Sequence, residues 1–113
     1  MIIIISARSS DFEGSTDERF GRARWLIKVH TDSEKWQSFP NPGASESGGA
    51  GVAAAQFVID HKADAVVSGD FGPHAARALS AARIEMKLLT SETHTVKRTL
   101  ELFIQGKLPT FQP

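Results

Sequence analysis

The hydrophobic pattern of the chain begins with a run of consecutive β-branched residues. Ile2 to Ser6 carries four isoleucines in a row. Successive side chains of a strand point to opposite faces, so an uninterrupted apolar run is typical of a strand that is covered on both faces. The run therefore predicts a buried strand over residues 2–6, at the centre of a sheet.

Two alternating segments follow further along the chain. Apolar and polar residues alternate over Trp25–His30 and again over Lys35–Phe39, and the turn-forming residues Thr31–Glu34 separate them. This arrangement predicts an antiparallel hairpin beside the first strand, with one face left in contact with water.

Residues 8–22, between the first strand and the hairpin, show little periodicity and predict a long loop. Loops of this length in a compact domain are usually functional or mobile. Residues 8–16 are polar and offer only Phe12 as an apolar anchor, so we expect this part to be mobile without a ligand.

The second half of the chain alternates between helical and strand patterns. Val52, Ala55, Gln56 and Ile59 lie at helical spacing, the next helix turns its alanines and Leu79 inward, and in the last one Val96, Leu100 and Phe103 share a face. Strand–helix alternation implies parallel strands joined by right-handed crossovers. The predicted elements are a helix over 49–61, a strand over 65–68, a helix over 73–82, a strand over 85–89 and a helix from 95 to 106.

These elements predict the α/β class, with a five-stranded mixed sheet flanked by helices. The length of 113 residues leaves room for one domain, over residues 1–113. The N-terminal apolar run is too short for a signal peptide, and no apolar stretch approaches the roughly 20 residues of a membrane span. We therefore expect a cytoplasmic protein without a membrane partner.

Composition and charge narrow the possible functions. The 13 Lys and Arg residues balance the 13 Asp and Glu residues, so the basic excess of a general nucleic-acid binder is absent and we expect no nucleic-acid partner. The chain has no cysteine. Disulfides, thiolate catalysis and cysteine-ligated metal sites are therefore excluded.

Three loop segments stand out as candidates for binding chemistry. They are 17–23 (DERFGRA), 47–51 (SGGAG) and 69–75 (GDFGPHA), and the last two lead directly into predicted helices. Helix N-termini present free N–H groups and a positive dipole end, which favours anions, and Arg19 and Arg22 add fixed positive charge. The carboxyl ends of parallel strands collect the loops after residues 6 and 68 at one edge, whereas the position of the second segment stays open. The candidate binding glycines are Gly48, Gly49, Gly51, Gly69 and Gly72.

Structural interpretations compete with these roles. A Gly–Pro turn such as 69–73 is as typical of a structural helix start as of a binding loop. Phe20 is more typical of a core anchor than of a ligand contact. The SGGAG segment lacks the lysine and hydroxyl of a phosphate loop and does not fit GxGxxG, which leaves little support for nucleotide binding.

The four histidines give one candidate metal ligand. His30, His61 and His94 lie near predicted element ends, where we expect them to be solvated. His74 falls in the first turn of a helix, where the positive dipole end favours the neutral, metal-binding imidazole. A surface histidine without a ligand role remains the alternative for His74.

We expect no enzymatic activity, because no constellation of nucleophile and base is evident. Asp11, Asp17, Asp64 and Asp70 supply the carboxylates for a two-metal nuclease site. However, Asp64 is typical of a turn and the first strand has no central carboxylate, which argues against such a site.

Taken in order, five motifs resemble those of the dinitrogenase iron–molybdenum cofactor biosynthesis family. They are the 17–23 segment, Asn41–Pro42, Gly49–Gly51, the 69–75 segment and Gly106–Leu108. The resemblance implies a ribonuclease H-like fold without nuclease carboxylates, and noncovalent or weakly ligated holding of iron–sulfur or molybdenum-containing clusters. Two departures stand out: residues 9–16 form a longer, more acidic loop than is usual in the family, and His74 occupies a position that often holds asparagine.

The expected function is therefore a carrier for an iron–sulfur or iron–molybdenum cluster, or its precursor, in metallocofactor assembly. The expected partners are the cluster, or another anionic ligand, and a metallocofactor-assembly protein. A protein-interaction or regulatory domain and a small anion- or phosphate-binding module remain alternatives. The expected site consists of Arg19, Arg22, Gly48, Gly49, Gly51, Gly69, Gly72 and His74, with His74 as the candidate metal ligand.

Overall fold

The central element is the isoleucine strand, as its sequence predicts. A computed structural model describes residues 1–113. Along the chain it contains β1 (Ile2–Ala7), β2 (Trp25–His30), β3 (Trp36–Pro40), a 3₁₀ turn (Pro42–Ser45), α1 (Ala50–Asp60), β4 (Ala65–Ser68), α2 (Pro73–Ala81), β5 (Glu85–Leu88) and α3 (Val96–Ile104).

The five strands form one mixed sheet in the order β3-β2-β1-β4-β5. β2 pairs antiparallel with both β1 and β3, whereas β4 pairs parallel with both β1 and β5. This topology is ribonuclease H-like, and it confirms the predicted hairpin and parallel strands. None of the helices is long and apolar enough to cross a membrane.

The alternating sides of β1 explain why the sheet carries helices on both faces. Ile4 belongs to a buried cluster with side chains of α1 and α2, whereas Ile3 and Ile5 belong to a second cluster with side chains of α3. All three isoleucines have no exposed surface. α1 and α2 therefore lie side by side on one face, and their N-termini reach the same edge.

The buried face of α1 differs from the one we predicted. Ala54, Ala55 and Val58 are buried without exposed surface, whereas Val52 is 49% exposed. α1 packs against both the sheet and α2, and at this crowded junction small alanines allow close approach. Val52 consequently lies outside the core, at the rim of the cavity described below.

The loop 8–16 has more anchors than Phe12 alone. The N–H groups of Val96 and Lys97 donate to the carbonyl oxygens of Gly14 (3.0 Å) and Phe12 (2.9 Å), so the loop accepts hydrogen bonds from the first turn of α3. Phe12 also stacks on Trp36, with 5.5 Å between ring centroids. Phe12 is thus joined by backbone hydrogen bonds that the sequence does not reveal, and mobility of this loop stays a prediction.

Candidate functional site

The three candidate segments meet around one cavity at the carboxyl edge of β1 and β4. The cavity has a volume of about 350 Å³ and is lined by residues 19–22, 49–52 and 70–75. Its walls are the loop after β1, the start of α1 and the turn from β4 into α2. The structure thereby fixes the position of the glycine-rich loop, which the sequence left open.

Two helix N-termini open into this cavity without capping side chains. The N-cap residues are Gly49 and Gly72, with φ of 72° and 70°, and neither helix has a side-chain cap bond or an acidic residue in its first turn. A positive φ is costly for residues with a side chain, so the geometry itself favours glycine over a capping serine or aspartate.

The first-turn amides of both helices are therefore free to bind a ligand. The first helical hydrogen bond of α1 runs from the Ala53 N–H to the Gly49 carbonyl oxygen, and that of α2 from the Ala76 N–H to the Gly72 carbonyl oxygen, both at 3.0 Å. The N–H groups before these donors have no acceptor in the protein, and Pro73 has no N–H. The free donors belong to Ala50, Gly51, Val52, His74 and Ala75. Amides and dipoles of this kind bind anions.

Glycines bring the three walls into contact. A Cβ atom on Gly51 would stand 3.3 Å from Cβ of Ala75, so the first turns of α1 and α2 nearly touch. A Cβ atom on Gly21 would stand 2.7 Å from the backbone nitrogen of Gly51, and one on Gly43 would overlap the carbonyl oxygen of Ala50. Sequence reasoning did not identify Gly21 and Gly43 as close-approach positions, and only the tertiary contacts distinguish them from ordinary turn glycines.

Asn41 ties the loop after β1 to the 3₁₀ turn that precedes α1. This residue is only 4% exposed. Its side-chain Nδ2 donates to the carbonyl oxygen of Phe20 (2.9 Å), and its Oδ1 accepts from the N–H of Gly43 (3.0 Å). Its backbone N–H donates to the carbonyl oxygen of Arg24 (3.0 Å). One buried amide thus fixes the loop of Phe20 against the 3₁₀ turn that leads towards α1. The Asn–Pro motif was visible in the sequence, but not this role.

Arg19 lines the cavity with a charge that is partly compensated. Its Nη2 and Nε donate to the buried carboxylate of Asp17, at 3.0 Å and 3.2 Å, and its backbone N–H donates to the same carboxylate at 2.9 Å. Burial opposes ionisation of Asp17, but the hydrogen bonds and charge of Arg19 outweigh it, so the pKa of Asp17 lies below its usual value. The pKa of Arg19 is raised by the same hydrogen bonds.

Arg22 has no carboxylate partner. Its Nη1 donates to the backbone carbonyl oxygen of Glu46, which connects the first wall to the segment before α1. The guanidinium is otherwise exposed at the cavity. Because a carbonyl oxygen does not neutralise a cation, Arg22 supplies most of the uncompensated positive charge.

Two of the predicted binding glycines lie outside the cavity. Gly48 is exposed and does not line it. Gly69 is a close-approach residue, since a Cβ atom there would stand 2.8 Å from Cβ of Glu18, and its N–H donates to the Glu18 carbonyl oxygen at 3.0 Å. Sequence alone does not show which glycines of a turn face a cavity, and a binding role for these two stays a prediction. Gly49, Gly51 and Gly72 do line it.

His74 lines the cavity and is exposed. No group of three or more His, Cys, Asp or Glu side chains is arranged to hold a metal ion. The chain therefore offers His74 as a single ligand within the cavity, rather than a complete coordination sphere of its own.

His61 differs from the solvated residue that we expected, whereas His30 and His94 are exposed. The His61 ring stacks on Phe57, with 4.0 Å between centroids, and its Nδ1 lies 3.4 Å from Nζ of Lys28. Burial, and secondarily the positive charge of Lys28, lower the pKa of His61 below its usual value.

The floor of the cavity is aromatic. Phe20 has no exposed surface and Phe71 is 3% exposed. Their ring centroids are 5.3 Å apart. Phe20 is thus a core anchor, as expected, and also a floor residue of the cavity; sequence analysis did not single out Phe71. The site combines apolar walls with amide and guanidinium donors.

Comparisons with known proteins agree with this architecture. The chain matches the family model described as "Dinitrogenase iron-molybdenum cofactor" over residues 1–106. It is similar to the apo form of the orange protein from Desulfovibrio gigas, with a TM-score of 0.90 and 30% identity over 97% of this chain and 92% of that chain. No match is found among curated protein sequences.

A second similar structure extends the agreement in fold. A putative NifB protein from Thermotoga has a TM-score of 0.82 and 21% identity, over 99% of this chain and 97% of that chain. At this identity the likeness concerns the fold alone. Because the family model spans nearly the whole sequence, the chain belongs to the dinitrogenase iron–molybdenum cofactor family.

Proposed function

We propose that this protein binds an anionic iron–sulfur or molybdenum-containing cluster, or its precursor, and carries it during metallocofactor assembly in the cytoplasm. The observation that carries the proposal is the meeting of two uncapped helix N-termini beside Arg22. Membership in a family described by the iron–molybdenum cofactor supports the choice of cargo. A metallocofactor-assembly protein is then the natural partner for transfer.

The chemistry of the walls suits a sulfur-rich anion. Such an anion is large and weakly hydrated, so apolar contact with the exposed side chain of Val52 complements hydrogen bonds from backbone amides. The chain has no cysteine, so binding would rest on amide hydrogen bonds, the Arg22 charge and at most one coordination bond from His74. Weak ligation of this kind is compatible with release to a partner.

A carrier role also explains the titratable groups that the cavity presents. Asp70 and His74 join the two arginines along its walls, and they do not form a hydrogen-bonded pair of nucleophile and general base. Holding an anion requires no such pair. We therefore propose that the protein is not a catalyst.

The test begins with protein that is expressed and purified anaerobically. We expect visible absorption bands, together with iron or molybdenum and sulfide in elemental analysis. The protein should also bind tetrathiomolybdate, a soluble molybdenum–sulfur dianion, more tightly than phosphate. Preference for phosphate would favour an oxyanion-binding module instead. Absence of metal, sulfide and tetrathiomolybdate binding would favour a protein-interaction domain.

Arg22→Ala tests whether the cavity binds an anion through this charge, with Arg24→Ala as the matched control. Both residues are exposed and close in sequence, but only Arg22 lines the cavity. A charge-assisted contact contributes about 1.5–3 kcal/mol, so Arg22→Ala should weaken tetrathiomolybdate binding roughly ten- to a hundredfold. Arg24→Ala should bind as the parent does. Equal affinities in the two variants would contradict the proposal that Arg22 binds the anion in this cavity.

His74→Ala separates coordination from electrostatic holding. If His74 ligates a metal of the cargo, the variant should show a changed absorption spectrum as well as weaker binding. If the cargo is held by amides and charge alone, the spectrum should be that of the parent. Since the amide of residue 74 persists in the variant, the comparison isolates the imidazole.

A further inference from the structure

The segment that follows α3 returns to the sheet and extends it beyond β5. The N–H of Leu88 donates to the carbonyl oxygen of Pro109 (2.8 Å), and the N–H of Phe111 donates to that of Met86 (2.9 Å). Thr110 pairs antiparallel with Lys87, whose Nζ also donates to its hydroxyl at 2.8 Å. This segment, residues 109–111, lies outside the part of the chain that the family model matches, which ends at residue 106.

Phe111 connects this segment to the floor of the cavity. Its ring packs against Phe71, with 5.2 Å between centroids and 55° between the ring planes. Phe71 in turn packs against Phe20 at 5.3 Å. The three rings form a continuous aromatic row, of which Phe71 and Phe20 line the cavity and Phe111 lies behind them.

The turn that carries Phe71 borders a second cavity on the side away from the first. The second cavity, of about 580 Å³, lies between α2 and residues 111–113. Asp70, Gly72 and Pro73 line both cavities, so this turn forms a thin wall between them. On the side of the second cavity Phe71 packs against Phe111, and on the other against Phe20, so the two ring contacts together constrain the position of the turn.

The position of this wall determines where the free amides of α2 point. The turn is fixed on one side by the N–H of Phe20, which donates to the Asp70 carbonyl oxygen at 3.2 Å, and internally by the Gly72 N–H, which donates to Asp70 Oδ1 at 3.2 Å. Gly72 then begins α2 at a positive φ. A shift of Phe71 would consequently be passed directly to the amides of His74 and Ala75.

We propose that Phe111 is a positioning residue for ligand binding. Through Phe71 it holds the turn from β4 into α2, here called the α2 wall, so that the free amides of both helices converge on one anion. This inference rests on the proposed function, since it assigns the amides to cargo. Residues 109–111, which the family model does not include, would then help to position this protein's binding site.

The test compares Phe111→Ala with Phe57→Ala. Phe57 is also partly buried against the same core cluster, but it packs on Phe39 and His61 near the far end of α1. Three quantities are measured on each variant: the melting temperature, the amide resonances of Gly72, His74 and Ala75 without ligand, and the affinity for tetrathiomolybdate. Phe111→Tyr, which keeps the ring, is the conservative variant.

Both alanine variants should melt at lower temperature. Only Phe111→Ala should shift the three amide resonances and weaken tetrathiomolybdate binding, by about two- to tenfold where moving the amides back into place costs as much as one aromatic pair contributes. Phe111→Tyr should restore both. If Phe111→Ala does not fold, Phe111→Leu, which retains apolar volume without the ring, carries the same expectations.

Resonances that move no further in Phe111→Ala than in Phe57→Ala would overturn the positioning role, as would parent-like affinity in a folded variant. The ligand-free resonances judge the aromatic row independently of cargo. If the parent itself does not bind tetrathiomolybdate, phosphate or a metal cluster, the proposed function fails, and the resonances still decide whether Phe111 positions the α2 wall.

Discussion

Cβ of Ala75 lies 3.3 Å from the position that a Cβ atom on Gly51 would take, so the first turns of α1 and α2 meet within van der Waals distance. This contact places two positive dipole ends side by side, which is unfavourable unless an anion or solvent compensates them. The same contact places the first turns of both helices, with their unbonded amides, at one cavity. The Gly51–Ala75 junction therefore links helix packing directly to anion binding.

The first prediction concerns Gly51→Ala. Alanine favours the helix by about 1 kcal/mol over glycine, but its methyl group would crowd Ala75 at the junction. We expect a small net change in the free energy of unfolding, because the two effects oppose each other. Binding of tetrathiomolybdate should weaken, since α2 must shift and a wall residue grows. Titration and thermal melting of the same variant check this, and undiminished affinity would contradict it.

The second prediction separates structural glycines from free ones. A Cβ atom on Gly21 would stand 2.7 Å from the Gly51 nitrogen and 3.0 Å from the Ala50 carbonyl carbon, which are backbone atoms that cannot rotate away. Gly21→Ala should therefore lower the free energy of unfolding by about 1–3 kcal/mol or more. Gly48→Ala meets no atom within 4 Å and should change it by less than about 0.5 kcal/mol. Urea denaturation of both variants provides the measurement.

The fold was predictable because its strongest signals are local. The isoleucine run predicted the central strand, and residues 65–68 match β4 at both ends. The buried face of α1 was not predictable from hydrophobicity, since Val52 is exposed while smaller alanines are buried. That face is set by how closely α1 approaches α2, and such a distance has no counterpart in a periodicity.

The candidate site was predictable as segments but not as residues. Glycine-rich helix starts and nearby arginines indicated an anion site, and the structure brings those segments together. Gly69 and Gly72 belong to one turn, yet only Gly72 lines the cavity, because Gly69 packs on Glu18. Pairing of Arg19 with Asp17 was equally hidden, since adjacent charges in a loop do not reveal which groups share a hydrogen bond.

The third prediction is a dependence of stability on pH that originates at His61. Burial against Phe57 and the charge of Lys28 lower its pKa below 6.5, so the folded state prefers the neutral imidazole. The stability that His61 contributes is fully present above its unfolded-state pKa of 6.5, and it is lost as the pH falls through the lower folded-state pKa. Acidification from about pH 8 to about pH 5 should therefore lower the melting temperature.

His61→Phe isolates this effect because it keeps an aromatic ring on Phe57 but cannot titrate. Its melting temperature should fall less over the same pH range than that of the parent. His30→Gln, which changes an exposed histidine, should follow the parent. If the His61 variant loses as much stability as the parent on acidification, the His61 imidazole is not the source.

The fourth prediction concerns the stability that Asp17 contributes. Its carboxylate is buried and accepts hydrogen bonds from the backbone and guanidinium of Arg19. Asp17→Asn should lower the free energy of unfolding at neutral pH by about 1–3 kcal/mol, because a buried amide cannot satisfy the same donors. The pKa of Asp17 is depressed below 3.8, so its contribution is complete above that value and lost as the pH falls through the folded-state pKa. The variant should consequently lose less stability in acid than the parent, as measured by denaturation between about pH 6 and pH 3.

The fifth prediction is that the same substitution strengthens anion binding while it weakens the fold. Asp17→Asn removes a negative charge beside the cavity and leaves Arg19 without a carboxylate partner. At low ionic strength tetrathiomolybdate should bind about threefold more tightly, and added salt should reduce the gain because exposed charges are screened. Arg19→Ala serves as the control and should cost less affinity than Arg22→Ala, since Asp17 already compensates Arg19 in the parent. Weaker binding by folded Asp17→Asn would mean that Asp17 serves the ligand by orienting Arg19, and that fixed geometry outweighs net charge at this wall.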